Sequence, residues 1–139
     1  MILLDTNVIS ELSKPHPNPR VLGWLDAVEH EGTGTSAITV AELLTGLADL
    51  PDGQRKAALV QLTSELLQRL GRAPLPFDAL AAEDYAAIVI ARKKRGRPIG
   101  ILDAQIAAIA VGQSMTLATM NTKDFEGIDG LGVVDPSQE

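Results

Sequence analysis

The sequence predicts an α/β fold: three layers, with a central parallel sheet of four to five strands between helices. Two observations carry this. Short apolar runs bounded by turn residues alternate with helical patterns along the whole chain, as βαβ units require. The chain has 139 residues and 45% hydrophobic content, enough for one domain (1–139) with a real core.

The elements follow in order. "MILLD", residues 1–5, is a short buried strand ending on a carboxylate. Asp5 or Thr6 can cap a helix over about 7–13, closed by Lys14-Pro15. "HPNPR" is a loop, with Pro19 suited to the first turn of a helix over about 19–30. "GTGTSAI" reads as a second strand near 34–38, and "TVAELLTGLADL" as a helix broken near Pro51. Residues 54–70 are the clearest amphipathic helix. Leu59, Leu62, Leu66, Leu67 and Leu70 make one stripe, read first as core and second as a dimer or partner face. "RAPLPF" is a third strand whose prolines suggest an edge. Residues 78–95 are helical and end in cations and Gly96; 101–113 form an Ala/Ile-rich helix stopping at Gly112. "MTLAT" is a fourth strand, and "LGVVD" can add a short fifth.

Composition narrows the function. Net charge is −6 and pI about 4.8, which argues against a generally basic nucleic-acid coat. Aromatics at 3% make a base-stacking platform unsupported. With no cysteine there is no disulfide framework and no thiolate zinc site. No apolar run approaches a membrane span and no leader is evident, so a cytoplasmic protein is expected.

Ligands of parallel sheets bind outside the carboxyl ends of the strands. Asp5 ends strand one there. Glu42 lies in the first turn of the helix after strand two. Asp103 opens the helix that delivers the chain to strand four, so it starts near the same edge. Asn121 and Asp124 follow strand four. Topology thus gathers Asp5, Glu42, Asp103 and Asp124. Clustered carboxylates repel unless a cation offsets them. An oxygen-only donor set suits Mg²⁺ or Mn²⁺, and with it phosphodiester hydrolysis. Each acid also has an ordinary reading. Asp5 can be an N-cap, "TVAE" a capping box containing Glu42, Asp103 a partner of a helix N-terminus, and Asp124 a turn residue.

"LLDTNVISEL", "TVAELLTGL", "RGRPIGILDAQIAAIA" and "LATMNTKDFEGIDGL" resemble, in order, the motifs of PIN-domain proteins, most closely VapC-type and FitB-type toxins. The resemblance covers nearly the whole chain. It implies a metal-dependent endoribonuclease with strand order 3-2-1-4. Asp5, Glu42 and Asp103 match the family's acids, and Asp124 its more variable fourth. Asp5 and Asp103 would be direct metal ligands, with Glu42 and Asp124 acting through water. Thr6, Asn7, Thr119 and Asn121 match supporting polar positions. The resemblance also implies a homodimer and a cognate antitoxin. Many relatives carry Arg where this chain has Met120, which leaves the identity of the RNA open.

Other residues are weighed on their own. "ARKKRGRP" holds Arg92, Lys93, Lys94, Arg95 and Arg97, five of twelve cations. They can contact RNA phosphates or simply complement a helix C-terminus. Lys14 and Arg20 are weaker phosphate candidates. Gly32 to Ala37 has the form G-x-G-x-x-A without the strand before it or the helix opening within it, so dinucleotide binding is rejected. His16 and His30 are isolated and read as surface residues; Trp24 reads as partly buried packing. Two non-nuclease classes stay open: a Mg²⁺-binding receiver-like signalling domain, and a non-catalytic partner-binding module.

Overall fold

The computed structural model describes all of residues 1–139. It has four strands: β1 (Ile2–Leu4), β2 (Thr33–Gly34), β3 (Thr116–Ala118) and β4 (Val133–Val134). Six helices accompany them: α1 (Thr6–Leu12), α2 (Pro19–Val28), α3 (Ala37–Ala48), α4 (Gln54–Arg69), α5 (Ala79–Lys94) and α6 (Ile101–Gly112). Two 3₁₀ turns cover Glu29–Glu31 and Thr122–Phe125. The sheet order is β2-β1-β3-β4, all parallel, with Leu3 opposite Gly34 on one side and Leu117 on the other.

Side chains alternate across a strand, and that period builds the layers. Leu3 faces one core with Ile106, Ala107 and Ile109 of α6 and Ile88 of α5. Ile2 and Leu4 face the opposite core with Val8 and Ile9 of α1, Val21 and Leu25 of α2, and Leu66 of α4. Leu3 and Leu4 are fully buried; each such side chain contributes about 1.5–3 kcal/mol by burial. β1 is therefore fixed from both faces, and so is the carboxylate that follows it.

The alternating pattern survives with three local corrections. The second strand is shorter and earlier than its 34–38 reading. Ser36, still extended, caps α3, its Oγ accepting from the Thr39 amide at 3.0 Å, and the chain turns helical at Ala37. The third strand shrinks to a single parallel bridge between Ser36 and Leu75. Leu75 donates to Thr35 O at 2.9 Å and accepts from the Ala37 amide at 2.8 Å. Pro74 and Pro76 flank it with their missing amides on the side away from β2, as an edge position allows, and the pairing stops because α3 begins at Ala37. That bridge sits outside β2, which preserves the expected 3-2-1-4 arrangement, and β4 supplies the fifth position at the far edge. The helix over 19–30 ends at Val28 and tightens into the first 3₁₀ turn. Elsewhere the helices begin and end within a residue or two of their expected bounds. Gly96, at φ +71°, closes α5 in a conformation that favours glycine.

Candidate active site

Asp5 performs the two roles its position offers. It is the N-cap of α1, with Oδ1 accepting from the Thr6 amide at 2.8 Å. Its Oδ2 accepts from the Thr119 hydroxyl at 2.8 Å. The Asp5 amide continues the sheet by donating to Ala118 O at 2.9 Å. The side chain is 5% exposed. Burial pushes its pKa up; the Thr119 and Thr6 hydrogen bonds pull it down, and the charges of Glu42 and Asp124 push it up again.

The residues around Asp5 form a connected polar frame. Thr119 is fully buried, and its Oγ1 also accepts from Asn7 Nδ2 at 3.2 Å and from the Asn121 amide at 3.1 Å. Asn7 Oδ1 accepts from the Met120 amide at 3.1 Å, pinning α1 to the turn after β3. The Asn121 side-chain amide donates to the Asp124 carboxylate. On the other side, Thr6 Oγ1 donates to Glu42 Oε1 at 2.9 Å. Glu42 stands in the second turn of α3, not the first, because Ser36 rather than Thr39 caps that helix. The capping-box explanation of Glu42 therefore fails.

Asp103 is the third residue of α6, whose N-cap is Gly100 with no side-chain cap. Its carboxylate makes no hydrogen bond within the chain, so it does not serve as a cap. Burial, then the charges of Asp5, Asp124 and Glu42, raise its pKa to about 6. Asp5 and Asp103 thus feel the charges of the acids gathered at this edge.

A cleft of about 460 Å³ opens here, lined among others by Asp5, Asn7, Glu42, Asp103 and Asn121. Asp124 is exposed on the loop beside it. Two further lining residues, Ser10 and Glu11, escape a search for acids at strand ends. Their signal is helical: they follow Thr6 and Asn7 by one turn of α1. Glu11 has both oxygens occupied, by the Lys14 ammonium and by the Asn18 amide at 3.0 Å. Lys14, on the cleft wall, is therefore ion-paired, whereas Ser10 leaves a hydroxyl without an intrachain partner. Arg20 sits exposed in the first turn of α2, outside the cleft lining.

The basic run is not a single phosphate-facing surface. Arg92 is 5% exposed, and its guanidinium donates to Arg97 O and Asp124 O, each at 2.8 Å. That donor set is turned inward, which corrects its reading as an RNA contact. Arg95 donates to Gly127 O at 2.7 Å and Arg97 pairs with Glu126 at 3.5 Å. Lys93 and Lys94 are exposed and make no ion pair.

No three Asp, Glu or His side chains form a ready-made metal cage. The cluster nonetheless fits a hydrated divalent cation. Mg²⁺ usually takes one or two carboxylates and keeps several waters. Asp103 offers unbonded oxygens, and the mutual repulsion of the acids is relieved by a cation. Asp5, Asp103, Glu42 and Asp124 are the groups that could hold one.

Comparison with known proteins agrees with this geometry. The PIN-domain family model matches residues 2–131. A "VapC ribonuclease Y4jK" from Sinorhizobium fredii is 45% identical over 137 residues, spanning 98% of this chain and 97% of the relative. A "Toxin FitB" from Neisseria gonorrhoeae is 45% identical over 137 residues, spanning 98% of both chains. The solved FitAcB structure from Neisseria gonorrhoeae superposes with TM-score 0.86 at 45% identity, covering 98% of each chain. With a parallel sheet that collects acids at its carboxyl edge, and a family match across nearly all of its length, the chain belongs to the PIN-domain family.

Proposed function

We propose that this protein is the toxin of a toxin–antitoxin pair and acts as a Mg²⁺- or Mn²⁺-dependent endoribonuclease. The observation that carries this is the convergence of Asp5, Glu42, Asp103 and Asp124 from four separate parts of the chain. Relatives named ribonuclease and toxin at 45% identity support the activity and the role. Asp5 and Asp103 would hold the cation, with Glu42 and Asp124 acting through water. A divalent cation bound here supplies charge compensation and Lewis acidity toward water and phosphate.

The chain's own part is positioning. Thr119 and the Thr6 amide fix Asp5; Thr6 orients Glu42; Asn121 orients Asp124. Ser10 and Asn7 line the same wall and can contact the RNA backbone. Lys93 and Lys94 remain the cations of the basic run open to phosphate. Likeness to a solved toxin–antitoxin complex from Klebsiella pneumoniae, 28% identical with TM-score 0.68, supports a cognate antitoxin here, and the resemblance to these toxins supports a homodimer. No helix is long and apolar enough to cross a membrane.

The test is cleavage of total cellular RNA by purified protein with Mg²⁺, with Mn²⁺ and with EDTA, mapping fragment ends by sequencing. Discrete cuts that require metal and disappear in Asp5→Ala and Asp103→Asn are expected. Undiminished cutting by both variants would overturn the site. No cutting together with no metal binding would favour a non-catalytic partner-binding module.

A further inference from the structure

We propose that Arg92 is a positioning residue for the acid site. Its buried guanidinium grips the main chain of the 121–127 loop and so sets where Asp124 stands relative to Asp5 and Asp103. The proposal rests on the acid cluster being the reaction centre. Arg92 belongs to the last turn of α5, on a different helix from any of the acids.

Three features support it. The first is chemical. A charge that is 5% exposed ordinarily needs an ionised partner, yet no ion pair includes Arg92. Its partners are carbonyls: Arg97 O and Asp124 O at 2.8 Å, with Glu126 O at 3.5 Å. A planar, forked donor set is suited to spanning such separate acceptors, and a lysine ammonium is not. The cation also sits at the C-terminal end of α5, where the helix dipole favours it.

The second feature is that the grip is continued by a neighbour. Arg95, three residues further on, donates to Gly127 O at 2.7 Å. Gly127 has φ +72°, and a Cβ there would overlap the Arg95 guanidinium. The two arginines thus hold both ends of the segment that begins at Asp124.

The third feature is connectivity. Beyond Asp124 the hydrogen bonds lead straight to the site: Asp124 carboxylate to Asn121, Asn121 amide to Thr119 Oγ1, and Thr119 Oγ1 to Asp5 Oδ2. The Asp124 side chain itself is exposed and belongs to a 3₁₀ turn of four residues outside the sheet. Phe125 and Ile128 anchor the segment in the core, and the Asp124 amide donates to Asn121 O at 3.2 Å. The Arg92 contact, from a different helix, fixes the Asp124 carbonyl itself.

The experiment is a double-mutant cycle between Arg92→Met and Asp124→Asn on the full chain, read by single-turnover RNA cleavage with Mg²⁺. Beside it runs amide hydrogen exchange of a 119–128 peptide and of a β1 peptide. If Arg92 acts through Asp124, Arg92→Met slows cleavage about 10-fold or more in the parent. In the Asp124→Asn background it changes the rate by less than about two-fold. The loop peptide exchanges about 10-fold faster while β1 is unchanged. Equal losses in both backgrounds, or acceleration of loop and β1 together, would make Arg92 a general stability residue and overturn the proposal. Should Arg92→Met not fold, Arg92→Lys enters the same cycle, since it keeps the charge but cannot span two carbonyls. A parent protein that cuts no RNA overturns the ribonuclease reading instead, and the exchange comparison still decides whether Arg92 holds the loop.

Discussion

At the scale of single residues, the Thr119 hydroxyl holds three groups at once: the Asp5 carboxylate, the Asn7 amide and the Asn121 main chain. Thr119→Val keeps the shape and deletes the hub. We expect a loss of about 1–3 kcal/mol in urea unfolding, from buried groups left unpaired. Cleavage should fall about 10- to 100-fold, as for partners that orient ligands; an unchanged rate would remove Thr119 from the site. Asp103 gives a prediction of opposite sign for stability. Its pKa stands at about 6 against an ordinary 3.8, so the folded chain binds its proton more tightly than the unfolded one. This group's contribution to metal-free stability therefore falls as pH rises from about 4 through 6, and the cost is complete above that window. Asp103→Asn should abolish cleavage yet raise the melting temperature in EDTA near neutral pH. The difference should vanish near pH 4. A less stable variant at neutral pH would contradict the burial and repulsion assigned to this carboxylate. Asp103 was legible in the sequence as a helix opener at the right edge. Its freedom from hydrogen bonds was not, because that depends on which neighbours the fold leaves without donors.

At the scale of elements, α4 shows how a stripe divides. Leu66 and Leu70 are buried against β1, α1 and α2, while Leu62 and Leu67 are only half-buried. The core reading of the leucine stripe holds at its centre. Val60 and Leu67 border an apolar hollow shared with Leu44 and Leu47 of α3. Leu66→Ala should cost about 2–5 kcal/mol in urea unfolding. Val60→Ser, with Val60 45% exposed, should change stability by no more than about 0.5 kcal/mol. A large loss at Val60 would show that this face is covered in the protein as it exists in solution. The start of α3 carries a second lesson. The sequence offers "TVAE" as a capping box starting at Thr39, but the fold caps the helix with Ser36, next to Ala37, whose amide is pinned to Leu75 O across the sheet edge. Ser36→Ala should lower stability by about 1 kcal/mol. It should also disturb Glu42, which rides on that helix and reaches Thr6.

At the scale of the whole molecule, the sheet works as a collector. β1 lies between β2 and β3, and the segments leaving all three at one edge carry Asp5, Glu42 and Asp124; α6 starts at the same edge with Asp103. The result is a site of like charges, stable only against the resistance recorded in the raised pKa values of Asp5 and Asp103. Divalent cation should therefore stabilise the folded chain by linkage. We expect the melting temperature to rise with millimolar Mg²⁺ or Mn²⁺ in the parent, and Asp5→Ala to abolish the rise. An equal rise in both would place the ion elsewhere.

The sequence by itself determined the alternation of strand and helix, the edge at which the acids meet, and the membership that its ordered motifs suggest. These follow from local periodicity and from the direction of parallel strands, and both are written along the chain. Only the tertiary structure decided the rest. It reduced "RAPLPF" to one bridge, because the segment it pairs with turns into α3 at Ala37. It moved Glu42 to the second turn of α3 and placed Ser10 on the cleft wall. It turned Arg92 away from solvent, because a guanidinium goes where carbonyls from a distant loop await it. Burial and hydrogen-bond partners are properties of contacts between segments far apart in sequence, and no pattern within one segment specifies them.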